Sequence, residues 1–317
     1  MRITAQEVYE NLINEDKIFE IQGQIKFYLG DVSIIVKQRD VVGNIIQEWL
    51  QGWLDHHGIE YAPSENSQMP PDFFLNPDNL TENLLEVKAF NRNASAAFDI
   101  ADFRMYAEEI IEKPYMLNVD YLIFGYDMTD DGYVIIKDLW LKKVWQITRR
   151  MEDYPINLQI KDGVIHKIRP AAWYSEDATD YTVFTSLEDF ICAIEETVYL
   201  EPKFRNTIAS TWLTKFKRNY KATFGVDLDI PRWNSIKDKY DMKSVRIKEK
   251  AQEDVNKAEE ALQKAKDKLN DNQKKLEAAK TDKQKEKALA AIEKAKEKVS
   301  DCENKVTVAN QKLNALI

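Results

Sequence analysis

Asp72, Glu86 and Lys88 are the residues of this chain whose types and spacing could do chemistry. Glu86 and Lys88 stand two apart in the apolar run 84–89, so an extended segment projects both from one face. Asp72 opens a second apolar run, 71–75, and the turn formers Asn76, Pro77, Asp78 and Asn79 follow it. The reading is two antiparallel strands joined by a loop, on which two carboxylates and one amine converge. Hard oxygen ligands of this kind suit Mg²⁺, which takes one or two carboxylates and keeps its waters. The carbonyl of Val87 could complete the shell. The metal would neutralise charge on a phosphodiester and improve a water as nucleophile. A neighbouring lysine could orient or deprotonate that water, or stabilise developing negative charge. The competing reading is a surface salt bridge in an ordinary hairpin, because the pattern is short enough to arise by chance.

The elements that must position these residues are legible from period and punctuation. Thr4-x-x-Glu7 is a capping box that opens a short helix through Ile13. Residues 18–36 read as short strands in a meander, broken at Gly23 and Gly30. Val42, Ile45, Ile46, Trp49, Leu50, Trp53 and Leu54 form a helical stripe. Glu48 lies off that stripe, either on a solvated surface or as a further carboxylate for the metal. Asn91, Arg92 and Asn93 make a polar loop that could meet a phosphate backbone. Asp99 is expected to cap a helix that Pro114 stops. The nearly continuous apolar run 119–126 predicts a strand buried on both faces. A strand over 133–136 and a helix over 139–147 are expected next, and a hairpin turns at Lys161-Asp162-Gly163. Helices are predicted from Ser186 to Tyr199 and from Asn206 to Phe224. Strands with helices on both sides imply an α/β fold around a mixed sheet.

Residues 1–241 hold every Trp, Tyr, Phe, Gly and Pro of the 317, and residues 242–317 hold none. The first part carries 26 Lys+Arg against 40 Asp+Glu, the second 19 against 14. The boundary predicts two domains, 1–241 and 242–317. A strongly acidic first part excludes a sequence-indifferent nucleic-acid coat, which needs a basic field, but not a sequence-specific enzyme with a local basic cleft. Cys192 and Cys302 sit in unrelated contexts, which points to a reducing, cytoplasmic compartment without a disulfide framework. No signal peptide and no membrane span are read. His56, His57 and His166 show no metal-ligand spacing.

The run QMPPDFFLNPD…NLLEVKAFN, with GDVSIIVKQRDVVGNIIQEWL before it and FDIADFRMYAEEIIEKPYMLNVDYLIFGY after it, resembles the NgoBV/NlaIV family of type II restriction endonucleases. The resemblance covers residues 1–241. It implies a PD-(D/E)xK nuclease core, Mg²⁺ dependence, a homodimer on double-stranded DNA, and cleavage at the centre of the interrupted palindrome GGNNCC. Asp72, Glu86 and Lys88 take the catalytic positions, and Glu48 corresponds to a helix carboxylate that assists metal binding in related nucleases. A palindrome calls for a two-fold dimer, and guanines are best read by Arg or Lys in the major groove. Arg169, Lys167, Lys161 and Arg92 are the candidates. Two other readings stand beside this one: a repair or junction nuclease with the same core, and a coiled-coil scaffold with an inert head.

The tail departs from the resemblance. Val255, Ala258, Leu262, Ala265, Leu269, Asn272, Leu276 and Ala279 follow a 3-4 alternation, and it resumes in another phase from Ala288 to Leu316. Thr281-x-x-Gln284 between them is a second capping box. An all-α antiparallel coiled-coil hairpin is expected, with a single dimeric rod as the alternative.

Overall fold

The computed structural model describes residues 1–64, 66, 69–175 and 179–316. Gln68, the first residue of the run quoted above, lies outside them. The chain forms two compact units, Met1–Tyr240 and Asp241–Ile317.

The first unit is built on a mixed six-stranded sheet. Its chain order begins with α1 (Ala5–Asn14), β1 (Gln22–Gln24), the hairpin β2 (Lys26–Leu29) and β3 (Val32–Ile35), then α2 (Val42–His56). The short β4 (Ala62–Pro63) and β5 (Phe73–Phe74) lead into β6 (Leu84–Asn91), β7 (Ala101–Asp102) and α3 (Phe103–Glu112). The long β8 (Asp120–Met128) and β9 (Tyr133–Lys143) follow, then the hairpin β10 (Leu158–Lys161) and β11 (Val164–Ile168). Helices α4 (Leu187–Leu200), α5 (Pro202–Arg205), α6 (Ala209–Phe224) and α7 (Trp233–Ile236) close the unit. The sheet order is β1-β9-β8-β6-β5-β4, with β6 and β8 parallel and the other pairs antiparallel.

Strand β8 shows why the apolar run is continuous. Leu122 and Phe124 enter a core with Val8 and Leu12 of α1 and Leu50 of α2, while Tyr121 and Ile123 enter a second core with Tyr106 of α3 and Ile194 of α4. Alternate residues of one strand therefore bury into opposite layers, which a strand covered on both faces requires.

Two local expectations are corrected. Residues 139–143 are strand, because β9 stays paired with β8 through Asp120↔Lys143. Only Val144–Ile147 turns, as a short 3-10 helix. The helix before Pro114 is capped by Asp102, whose carboxylate accepts from the Arg104 and Met105 amides. Residues 101–102 are instead recruited as β7 beside β11. Both differences come from strand pairing with segments distant in sequence, which no local period encodes.

The second unit is an antiparallel helical hairpin of α8 (Met242–Glu277) and α9 (Asp282–Asn314). Thr281 and Gln284 form the expected capping box at the start of α9. Asn272 donates to the Ala291 carbonyl at 3.3 Å, and Lys266 pairs with Glu303 at 3.7 Å, so the helices run in opposite directions. The heptads fold as a hairpin and not as a rod. No helix among the described residues is long and apolar enough to cross a membrane.

Candidate active site

Strand β6 brings the chemistry together. Val87 points into the core beneath α1 and α2, which leaves Glu86 and Lys88 on the other side of the sheet. Lys88 Nζ lies 2.7 Å from Glu86 Oε1. Pairing of β5 with β6 ends at Phe73↔Leu85, so the next rung of the ladder is filled by a side chain. Asp72 Oδ2 accepts from the Val87 amide at 2.8 Å, and Oδ1 accepts from Gln47 Nε2 of α2 at 2.7 Å. The Asp72 amide donates in turn to the Leu85 carbonyl at 3.0 Å. The peptide bond before Pro71 is cis.

Asp72, Glu86 and Lys88 open onto one cavity of about 400 Å³. Glu48, Gln47, Asp99 and Lys167 also line it. Four carboxylates thus face two ammonium groups. Glu86 is only 4% exposed, and its Oε2 has no hydrogen-bond partner among the described residues. Burial, with help from the Asp72 charge, pushes the Glu86 carboxyl up to about 7 against the pull of Lys88. Burial also raises Asp72, opposed by the Val87 amide, Lys88 and Gln47. Burial works to lower Lys88, but Glu86, Asp72 and Asp99 outweigh it and hold the amine above its ordinary value. The lysine is therefore a fixed cation at neutral pH, suited to stabilising negative charge and unsuited to taking a proton.

The donor set fits a hard divalent cation. Two carboxylates lie side by side, each destabilised as an anion, and a glutamate oxygen is left without a partner. Among the described residues no three His, Cys, Asp or Glu side chains close around one point, so most of such an ion's shell would be water and backbone. The Val87 amide faces Asp72, and a strand residue directs its carbonyl to the same edge as its amide.

The other sequence candidates are dispersed. Lys167 reaches the cavity, with Asp102 at 3.9 Å from its amine. Arg169 pairs with Asp99 and donates to the Ala97 carbonyl at 2.6 Å. Arg92 pairs with Asp138 at 2.5 Å and lies over the rings of Phe90, Trp140 and Tyr174. Gly125 makes this possible, since a Cβ there would stand 2.7 Å from Arg92 Cδ. Asn91 Oδ1 accepts from the Asn93 amide, and Asn93 Nδ2 donates to Asp127. Lys161 is exposed at the turn between β10 and β11. None of Asn91, Arg92, Asn93, Lys161 and Arg169 lines the cavity. Gln47 and Asp99 do, and sequence reasoning missed both in that role. Gln47 sits two residues from Trp49 of the helical stripe, a weak signal that it faces elsewhere.

A family model described as NgoBV restriction endonuclease matches residues 2–240. The chain belongs to that family. It is 60% identical over 243 residues to the type II restriction enzyme NlaIV of Neisseria lactamica, covering 77% of this chain and all of that protein. It is 58% identical over 161 residues to the type II restriction enzyme NgoBV of Neisseria gonorrhoeae, covering 51% of this chain and 91% of that one. The solved NlaIV restriction endonuclease superposes with a TM-score of 0.74 over 76% of this chain and 98% of its own. The protein is thus a DNA-binding type II restriction endonuclease of the PD-(D/E)xK superfamily. The family match ends at residue 240, before α8 begins.

Proposed function

We propose that this enzyme is a cytoplasmic, Mg²⁺-dependent homodimer that cuts both strands of DNA at GGNNCC, with Asp72, Glu86 and Lys88 as its catalytic residues. The observation that carries the site is the carboxylate pair, Glu86 buried and Asp72 partly buried, beside a fixed cation on an open cavity. Asp72, Glu86 and the Val87 carbonyl would hold the metal, with Glu48 of α2, which lines the same cavity, assisting through the ion's waters. Bound Mg²⁺ supplies charge neutralisation and acidifies water. Without a cation, four carboxylates would repel a DNA phosphate from this cavity. Gln47 and the Val87 amide fix Asp72, so the carboxylate needs no rearrangement to serve as a ligand. Lys88 directs its ammonium at the negative charge that builds on the phosphate as water attacks. Lys167 at the cavity and Lys161 at the β10–β11 turn are placed to meet the duplex. Arg169 and Arg92 would exchange Asp99 and Asp138 for guanine edges or phosphates, and Asn91 and Asn93 flank that second arginine.

Residues 1–241 form the nuclease domain in this reading, and 242–317 a separate helical domain. The sequence GGNNCC rests on the kinship with the NgoBV/NlaIV enzymes. Plasmid digestion with Mg²⁺, followed by sequencing of the ends, tests it. Double-strand breaks centred in GGNNCC are expected, and breaks at a different sequence overturn the specificity.

A further inference from the structure

The helical hairpin carries its positive charge on one side. Its large apolar heptad positions are Val255, Leu262, Leu269 and Leu276 in α8, answered by Ile292, Val299, Val306 and Leu313 in α9. The residue before each of these and the residue two after it fall on one flank of the helix seam. Within the two helices that flank holds fourteen positions, of which eight are Lys, three Asp, two Ala and one Val. The residue after each and the residue three before it fall on the other flank, where two Lys meet four Glu among sixteen positions. The first flank is therefore net +5, equal to the net charge of residues 242–317 as a whole, and the second is net −2.

The fold sets like flanks side by side. Lys266 and Glu303, both on the acidic flank, pair across the helices at 3.7 Å. On the basic side one groove is lined by Asp254 and Ala258 of α8 together with Asp301, Lys305, Val308 and Lys312 of α9. The lysine pattern is also written twice. Lys264-Ala265-Lys266, followed by Lys268, recurs as Lys294-Ala295-Lys296, followed by Lys298. In each copy the first and last lysines fall on the basic flank and the middle one on the other. All eight lysines of the basic flank are exposed. Lys257 meets Glu253 at 3.3 Å, an exposed pair within one helix that holds it weakly.

We propose that this lysine flank binds the phosphates of duplex DNA, as a sequence-indifferent holding surface on the same chain as the nuclease. The inference rests on the endonuclease activity of the family and not on the cleavage site. The flank bears no Arg, Asn or Gln, the side chains that read base edges two hydrogen bonds at a time, so its chemistry is that of point charges against phosphates. From Lys257 to Lys275 the lysines of α8 span about 27 Å at ~1.5 Å per residue, a length over which a duplex carries a charge about every 1.7 Å. No register between lysine and phosphate is then needed. The nuclease unit, with 26 Lys+Arg against 40 Asp+Glu, lacks the basic field that draws an enzyme to bulk DNA, and the tail supplies one. A second hairpin is the poorer occupant, because its acidic flank offers four Glu to eight Lys and Glu303 is already engaged by Lys266. A chain that holds DNA by one unit raises the concentration of duplex at the other.

The test compares two sets of full-length variants that differ only in flank. Lys264, Lys268, Lys294 and Lys298 are changed to Gln on the basic flank, and Lys266 and Lys296 to Gln on the other. Fluorescence anisotropy with a duplex lacking GGNNCC, in Ca²⁺ over a range of salt, reads the affinity. The basic-flank variant should bind at least about tenfold more weakly at low salt, and its slope of log affinity against log salt should be shallower by about 2 to 4. The other variant should stay within about twofold of wild type, and both should keep the helical far-ultraviolet spectrum. Cleavage of a short GGNNCC duplex at saturating enzyme should be unchanged in both. Lysine acetylation of the wild-type enzyme, read by mass spectrometry, needs no variant: duplex should protect Lys268 and Lys298 and leave Lys266 and Lys296 reactive. An unchanged salt slope overturns the proposal, as does equal loss in the two variants or equal labelling with and without duplex. A basic-flank variant that loses self-association but keeps its DNA affinity would make the flank a contact between copies, also against the proposal. Cleavage of GGNNCC alongside any of these results leaves the nuclease reading standing by itself.

Discussion

The sheet-centred unit and the helical hairpin each bury a polar side chain at their centre, and they treat it differently. In the hairpin, Asn272 is 9% exposed and finds the Ala291 carbonyl across the helix pair. A polar residue at such a seam position costs stability and selects register. In the nuclease unit, Glu86 is more deeply buried, carries charge, and leaves one oxygen without a partner. Its pairing with Lys88 does not relieve it, because the carboxyl still lies near 7. An unpartnered oxygen alone does not set Glu86 apart, since Glu201 is 1% exposed and leaves its Oε2 unpartnered too; Glu86 differs in opening onto a cavity beside Asp72 with its carboxyl raised to about 7.

The strongest way to break this contrast is to neutralise the site. Asp72→Asn and Glu86→Gln should each lower cleavage by orders of magnitude while specific binding in Ca²⁺ survives. Each leaves the Lys88 ammonium with one anion fewer, so the metal-free protein should be less stable than wild type at neutral pH. Plasmid linearisation, a gel shift and a thermal melt read the three quantities, and near-normal cleavage by either variant would remove the site assignment.

Lys88→Ala should also abolish turnover, with a smaller and pH-dependent effect on stability. Without its cation, Glu86 would hold its proton to higher pH, so the folded variant should lose little below about 7 and more above. A variant that cleaves normally once folded would make the lysine structural.

The pH dependence of stability sharpens the comparison further. The folded-state value of Glu86 is raised from 4.5 to about 7, so the native state binds the proton more tightly than the unfolded chain. Its contribution is complete below 4.5 and is lost as pH rises through 7. Melting of metal-free wild type should therefore fall relative to Glu86→Gln across that window and run parallel above it. At limiting Mg²⁺, cleavage should increase over the same window, and saturating metal should move the midpoint down. A flat difference between the two proteins would show that Glu86 is ionised throughout.

Smaller effects belong to the hairpin. Asn272→Leu should stabilise it by about 1 kcal/mol, seen as slower amide exchange in α8 and α9 of the full chain, with cleavage unchanged. Truncation after Asp241 should leave dimerisation on DNA and double-strand cleavage of a GGNNCC duplex intact. A truncated enzyme that is monomeric and only nicks would place the dimer contact in the tail.

The tail was the most legible part of the chain, because a heptad and a capping box are local signals that a helix pair satisfies without distant help. Its antiparallel course follows from the break at 278–281, where helix α8 stops and Thr281 caps the next. In the first unit, α1, α2 and β8 were equally plain, since their burial periods are written in consecutive residues. Residues 139–143 were not: Leu139 and Leu141 suit a strand face as well as a helix stripe, and only β8 decides between them.

The sequence by itself determined the residue types and the spacing of two that put Glu86 and Lys88 on one face of one strand. It also determined the abrupt change of composition near residue 241. What only the tertiary structure decided is the company those residues keep. Asp72 meets the Val87 amide because β5 stops one rung early, and Gln47 reaches it from a helix 25 residues away. Arg92 and Arg169, indistinguishable from other surface cations in the sequence, turn out to be held by Asp138 and Asp99. Burial is a sum over neighbours from the whole fold. The carboxyl value that makes Glu86 a ligand in waiting therefore exists only once both layers have closed over the sheet.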